Sequence, residues 1–352
     1  MKNNISLNFL AIFFGIILFL SCSSDDSEST DTSTTDEETT SSEETIANEE
    51  TENYTGTGSI TQGLATSTTS NLFTAGQRIA EIGTITASDN SEWIVPAEVN
   101  YTDDSFPFAP DLYNPYGTQY GTAEEALAAF DDDNIIEIDT DGDIITGYIF
   151  GDNYFELYVN GIPVGKDAVP FTDFNSHLVK FKVNTPYTIA MKLVDWEENL
   201  GLGTEESGGF AYHPGDGGMV AVFKDETENT VAVTDSNWKA QTFYTAPIKD
   251  LNCPTENGSS RNTSNCDTSD ETNGSSFYAL HWELPTTWMD ESFDDEEWPN
   301  ATTFTNTTIG VDNKPSYTNY TDIFDDNSED AQFIWSTNVI LDNEVIIRFT
   351  VE

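Results

Sequence analysis

YFELYVNGIPVG, residues 154–165, decides the fold class. Two apolar runs, LYV and IPV, flank Asn160-Gly161, the pair best suited to the positive φ angles of a two-residue hairpin turn. An antiparallel hairpin is therefore expected here. Working outward, the runs DIITGYIF, HLVKFKVN, YTIAMKLVD, GGMVAVFKD, TVAVT, AQTFYTA, SFYALHWEL, AQFIW and EVIIRFTV follow at short intervals. They are rich in β-branched and aromatic residues and separated by Gly, Asn, Asp and Pro. No strand–helix–strand alternation interrupts them, which excludes a doubly wound sheet. An all-β protein is expected, an antiparallel β-sandwich of jelly-roll type.

Upstream, RIAEIGTITA (78–87) and EWIVPAEV (92–99) alternate as half-buried strands do. TAEEALAAF (122–130) predicts one short helix, with Thr122 and Glu125 forming a capping box. Residues 78–145 are expected to be an N-terminal extension or subdomain, residues 146–352 the jelly roll, and residues 51–77, rich in Thr, Ser and Gly, a linker.

Composition separates the first fifty residues from the rest. The chain of 352 residues carries 63 acidic against 12 basic residues, a formal charge of −51. Residues 1–50 account for 11 of the acids and one of the bases, which leaves −41 on the remainder. Such a surface excludes nucleic acid as a partner. Near the N-terminus, Lys2 precedes the apolar run NFLAIFFGIILFLS, which ends at Ser21 before Cys22 and the tract SSDDSESTDTSTTDEETTSSEETIANEE. The run is short for a membrane span and of signal-peptide length. The polar tract buries nothing and reads as a disordered tether over residues 22–77, together with the linker. Leu20-Ser21-Cys22 resembles the lipobox of bacterial lipoproteins, and the acidic tract after it resembles the tether of Bacteroidetes surface lipoproteins. The resemblance implies a signal peptide over residues 1–21, lipidation of Cys22, and anchorage in the outer membrane facing the exterior. An ordinary secretory signal and a spanning anchor are the alternatives.

Cys253 and Cys266 lie thirteen apart in NCPTENGSSRNTSNCDTSDETNGSS. On an exported chain a disulfide stapling a loop near residues 250–275 is expected, rather than zinc.

YFELYVNGIPVG, then VTDSNWKAQTFYTAPI (233–248), then LPTTWMDESFDDEEWPNAT (284–302) come in an order that resembles galactose-binding-like jelly rolls, above all the sugar-binding domain of bacterial α-rhamnosidases. The resemblance covers roughly residues 145–350. It implies that Asp235 ahead of Trp238, and Asp295 ahead of Trp298, tie turns to the sheet, with Phe293 anchoring from the core side.

Three places carry candidate chemistry. In DTDGDI, Asp139, Asp141 and Asp143 surround Gly142 and resemble the start of a calcium loop, although the closing Glu is missing. A structural calcium ion and a plain acidic hairpin turn are both open. LVDWEENLGLGTE (193–205) and AYHPGDGG (211–218) are polar, aromatic and Gly-rich, as sugar-holding rim loops are. There Trp196 or Tyr212 would stack on a ring, while Asp195, Glu197, His213 and Asp216 would take hydroxyls. A structural role for the same residues is the alternative. On SFYALHWEL, His281 and Glu283 share one strand face and either bind a metal or make ordinary hydrogen bonds.

No GxSxG, HExxH, P-loop or dinucleotide glycine pattern occurs, so a non-enzymatic role is expected. The leading expectation is a glycan-binding accessory lipoprotein that holds polysaccharide or oligosaccharide for partner hydrolases and a glycan importer. The alternatives are a calcium-stabilised structural or adhesive surface protein, and a hydrolase. The anchor is testable by itself. Cys22→Ala should move the chain from the membrane fraction to soluble or unprocessed forms; a variant cleaved and fractionating like the parent contradicts the lipobox reading.

Overall fold

The computed structural model describes residues 54–352, apart from 172, 327 and 329; Cys22 and the N-terminal tether lie outside the described residues. Two antiparallel sheets stack face to face. The first has seven strands in the order Ser59–Gln62, Tyr278–His281, Lys239–Ile248, Asp342–Val351, Tyr187–Val194, Tyr154–Val159 and Ile162–Lys166. The second runs Thr302–Phe304, Phe333–Trp335, Gly218–Lys224, Asp143–Asp152, Ser176–Val183, Asp111–Tyr113, with Thr230–Val233 and the short Ile136–Glu137 at its margins. Ile136–Glu137 pairs in parallel and the other strand pairs are antiparallel. From Asp143 onward the long strands pass repeatedly from one sheet to the other, which is the jelly-roll path. The expected all-β sandwich is present.

The hairpin that opened the reading forms as expected. Asn160 and Gly161 adopt φ of 51° and 79° between Tyr154–Val159 and Ile162–Lys166. The principal core lies between the sheets, where Leu157, Ile189, Met191 and Ile347 of the first face Ile149, Phe181, Val220 and Val222 of the second. The first sheet is buried on its other face too. There Ala190, Phe243, Leu280 and Ile346 pack under Phe106, Trp282 and Trp288. Burial on both faces explains why YTIAMKLV reads as a continuous apolar run instead of alternating.

Trp238 closes one end of the sandwich, fully buried and stacked on Phe349 at 5.1 Å, with its indole N–H donating to Val233 O at 2.7 Å. Asp235 caps the turn before it by accepting from Asn237 N at 2.7 Å. Asp295 accepts from Arg348 Nε at 2.6 Å, and the buried guanidinium also donates to the carbonyls of Trp288, Asp290 and Phe293. One arginine on a central strand thus holds the whole segment LPTTWMDESFDDEEWPN against the sheet. Phe293 lies under the same guanidinium at 5.1 Å.

Cys253 and Cys266 form the expected disulfide. The loop it closes is docked, not loose. It contains the hairpin Thr255–Asn257 and Ser260–Asn262. Glu256 accepts from Thr57 N at 2.9 Å and Trp282 Nε1 at 3.3 Å, while Arg261 lies over Phe243 and Trp282.

Three boundaries differ from expectation. Residues 59–69 are not linker: Ser59–Gln62 pairs with Tyr278–His281, and Thr66–Thr69 joins Ile82–Thr86 and Glu92–Val95 in a small sheet. Residues 78–145 are the extension and not a subdomain, because Asp111–Tyr113 and Ile136–Glu137 complete the second sheet. Besides the expected helix, Ala123–Ala129, three single-turn helices occupy Asn306–Ile309, Pro315–Thr318 and Thr321–Phe324. Their turn signals were legible in hindsight: Thr305 caps the first, Gly310 ends it at φ 75°, and Pro315 starts the second.

Removing the arginine should be costly. Arg348→Ala strands Asp295 and three carbonyls, and a broken buried ion pair is worth about 3–5 kcal/mol. Denaturant unfolding should show a loss of that order; a loss under about 0.5 kcal/mol, typical of a surface substitution, contradicts the clamp.

Candidate functional site

At one end of the sandwich, strands leave one sheet for the other, and their last residues are acids. The register places Gly218 opposite Asp152 and Tyr154 opposite Val194. Asp152 ends one strand, Asp195 follows Tyr187–Val194 directly, and Asp216 precedes Gly218–Lys224. Two chain crossings, one at Asp152 and one that begins at Asp195 and ends at Asp216, therefore deliver these three acids to one place. Around them lies a cavity of about 200 Å³, also lined by Asn153, Phe171, Phe174, Trp196, Glu197, Glu205, His213, Gly215 and Lys314.

Local bonds fix several of these groups. Asn153 accepts from Trp196 N at 2.6 Å and donates to Asp152 Oδ1 at 2.8 Å, joining the two crossings. Gly215 N–H donates to Glu197 Oε1 at 2.5 Å, and a Cβ at 215 would overlap that carboxylate. Arg78 pairs with Glu198 at 2.8 Å and Glu205 at 3.0 Å. His213 is hydrogen-bonded to Asp270. Lys314 lies 4.8 Å above the Phe174 ring.

Two oxygens are left over. Oδ2 of Asp195 and Oδ2 of Asp216 are buried without a hydrogen-bond partner, and Asp195 is only 2% exposed. Asp167 Oδ2 is likewise buried without a donor, but two other buried carboxylates are surrounded by donors. Glu156 accepts from Asn100, Tyr154 and Tyr158. Asp342 accepts from Thr245, Thr263, Ser336 and Asn338 N. An acceptor buried without a donor costs on the order of 1–3 kcal/mol. The cavity thus gathers two buried acceptors that the protein itself does not compensate.

The acidities reflect this. Burial, then the charges of Asp216 and Asp195, holds the Asp152 carboxyl far above the ordinary range. Burial and Asp216 do the same to Asp195, and burial with Asp195 raises Glu197. Burial lifts Asp216 to about 6 against the opposing pull of His213. Glu205 is raised by burial in spite of Arg78.

Of the residues expected from sequence, Asp195, Trp196, Glu197, His213 and Asp216 meet at this cavity. Two expected roles need correction. Trp196 is fully buried, edge-on to Tyr154, with its indole N–H donating to Glu81 O at 3.1 Å, so its face is not free to stack on a ligand. Tyr212 faces away, packing on Phe277 and Gly274 beside the disulfide loop. The aromatic rings at the cavity are Phe171 and Phe174 instead. Sequence reasoning missed these two, together with Asp152, Asn153, Glu205 and Lys314. The one available signal was Asp152-Asn153, two polar residues interrupting the apolar run YIFG–YFELYV.

The other candidates lie apart. Asp139 accepts from Asn184 N at 2.9 Å and Asp141 from Asn184 Nδ2 at 3.1 Å, so both tie the turn to the neighbouring strand, while Asp143 begins Asp143–Asp152. Among the described residues no group of three or more His, Cys, Asp or Glu is arranged to hold a metal ion. His281 is buried between Trp93 at 5.3 Å and Tyr244 at 4.8 Å, and its Nε2 meets Thr61 Oγ1 at 2.9 Å. Burial pushes its pKa down to about 3, so this ring is a neutral core group. Comparison of the chain with protein-family models, curated proteins and solved structures returned no match.

The raised carboxyls give a pH signature. A group with an elevated folded-state pKa favours folding while protonated and loses that contribution as pH rises through the folded value. For Asp216 the window runs from about 4 to about 6. Asp216→Asn should therefore be more stable than the parent at pH 7, by roughly 3 kcal/mol, and nearly indistinguishable from it at pH 3.5. His281 works in the opposite direction below about 6.5 but equally in both proteins, so it cancels in the difference. A stability difference independent of pH contradicts the assignment.

Proposed function

We propose that this protein is a surface-anchored lipoprotein that binds carbohydrate in the cavity at the end of its sandwich and retains polysaccharide for partner hydrolases and a glycan importer. One observation carries the reading: a cavity lined by five acids, with one oxygen each of Asp195 and Asp216 buried without a donor, beside the ring of Phe174. A hydroxylated ring supplies what such a cavity lacks. Its O–H groups donate to Asp195, Asp216 and Glu197, and its C–H face packs on an aromatic ring. The surroundings agree with the partner class, since a net charge of −41 on residues 51–352 repels nucleic acid and uronic or sulfated chains at low salt. The lipobox-like Leu20-Ser21-Cys22 and the resemblance to sugar-binding jelly rolls support the location and the ligand. Single-sugar affinity should be weak, because few contacts offset the lost freedom of the ligand, while many anchored copies hold a polymer through avidity.

A second reading, hydrolysis, is favoured by one feature. A carboxyl held near 6 among other carboxylates is able to donate a proton at neutral pH, as glycosidase acids do. Release of new reducing ends from a retained polysaccharide, abolished by Asp216→Asn, would select it.

Affinity electrophoresis of the full chain through a panel of neutral polysaccharides tests the binding reading. At least one should retard the parent. Phe174→Ala and Glu197→Gln should each weaken retention about tenfold, the equivalent of one ring contact or hydrogen bond of about 1.4 kcal/mol. No retention on any polysaccharide, or retention unchanged by both substitutions, contradicts it.

A further inference from the structure

Five acids line the cavity: Asp152, Asp195, Glu197, Glu205 and Asp216. The nearby cations are mostly engaged elsewhere. Arg78 is shared between Glu198 and Glu205, His213 is bonded to Asp270, and Lys314 rests on Phe174. No protein cation meets the free oxygens of Asp195 and Asp216. These carboxylates are already desolvated by the fold, so a cation entering gains their attraction without stripping their water. The acids are spread around a cavity of about 200 Å³ and do not converge on one point. That arrangement suits a charge carried on a larger body better than a bare ion.

We infer that the ligand of this cavity is an amino sugar with a free, protonated amine, its ammonium between Oδ2 of Asp195 and Oδ2 of Asp216 and its ring hydroxyls toward Asp152 and Glu197. An ammonium has three donors and no acceptor, which matches two donor-less carboxylate oxygens. A neutral sugar would leave the raised carboxyls protonated and gain only hydrogen bonds from them; an N-acetylated one would bring an amide without charge into the same position. This inference rests on the carbohydrate reading and adds the charge of the ligand to it. Binding should release protons at pH 6, because the incoming charge favours the ionised form of carboxyls that burial had raised. It should also weaken with added salt, to a degree limited by burial.

Calorimetric titration of the full chain with D-glucosamine, D-glucose and N-acetyl-D-glucosamine, each in two buffers of different ionisation enthalpy, tests it. Glucosamine should bind at least about tenfold tighter than the other two, with proton release on binding. Asp195→Asn, whose shape is preserved, should lose that preference; Asp216→Asn should do the same, so the outcome does not depend on one variant folding. Equal binding of glucose and glucosamine overturns the charge assignment and leaves the carbohydrate reading standing. Binding of none of the three, in a protein that also fails to be retained on polysaccharide, removes both. Calcium that displaces glucosamine, and stabilises the parent but not Asp195→Asn, would reassign the cavity to a metal and overturn the amine.

Discussion

A sheet buried on both faces is the constraint on which the rest of this structure depends. Tyr187–Val194 is buried along its whole length between Tyr154–Val159 and Asp342–Val351. Polar side chains on such strands have no water to turn to and must find partners inside the protein. Glu156 finds Asn100 and two tyrosines, Lys192 pairs with Glu344 at 3.4 Å, and Arg348 finds Asp295 and three carbonyls. The bonds to Asn100 and to the Trp288–Asp295 segment, with one from Lys192 to Glu98 O, pull loops onto the outer face of the sheet. The covering layer, residues 54–106 and 250–298, is held by buried polar groups as much as by its apolar contacts.

The same constraint makes the cavity stand out. Where the strands cross between sheets, three acids arrive together and the protein does not complete their bonds. Asp342 shows that this chain can surround a buried carboxylate with donors: it has two threonines, a serine and a backbone N–H. Asp195, one strand end away, keeps an oxygen without a donor. An unpartnered buried acceptor beside a cavity is a candidate ligand contact, and the raised pKa values of the surrounding carboxyls reflect the same burial without compensation.

Much of the fold was legible in the chain, and the limits have physical causes. Asn160-Gly161 announced a hairpin because only a few residue pairs tolerate its backbone. Cys253 and Cys266 announced a bridge through spacing and export. The strands at 59–69 were hidden because TSTT and SITQ carry little apolar pattern; their pairing is decided by the edges they meet, not by their own composition. The candidate site was half visible. Loops 193–205 and 211–218 stood out through their Gly, Asp and aromatic content, and their acids do meet. Trp196 misled, because an indole in a rim loop reads the same whether it faces ligand or core. Phe174 and Lys314 were invisible, since only the packing of distant segments brings them to the cavity.

The central claim is that the open oxygens of Asp195 and Asp216 belong to a bound sugar. A crystal structure of the chain grown with an oligosaccharide containing free amines tests it most directly. The account predicts a sugar ring in the cavity, its donors on those two oxygens and a ring face on Phe174. A cavity without sugar in which Lys314, His213 or another protein donor has closed onto Asp195 and Asp216, or a sugar bound elsewhere on the surface, would contradict it.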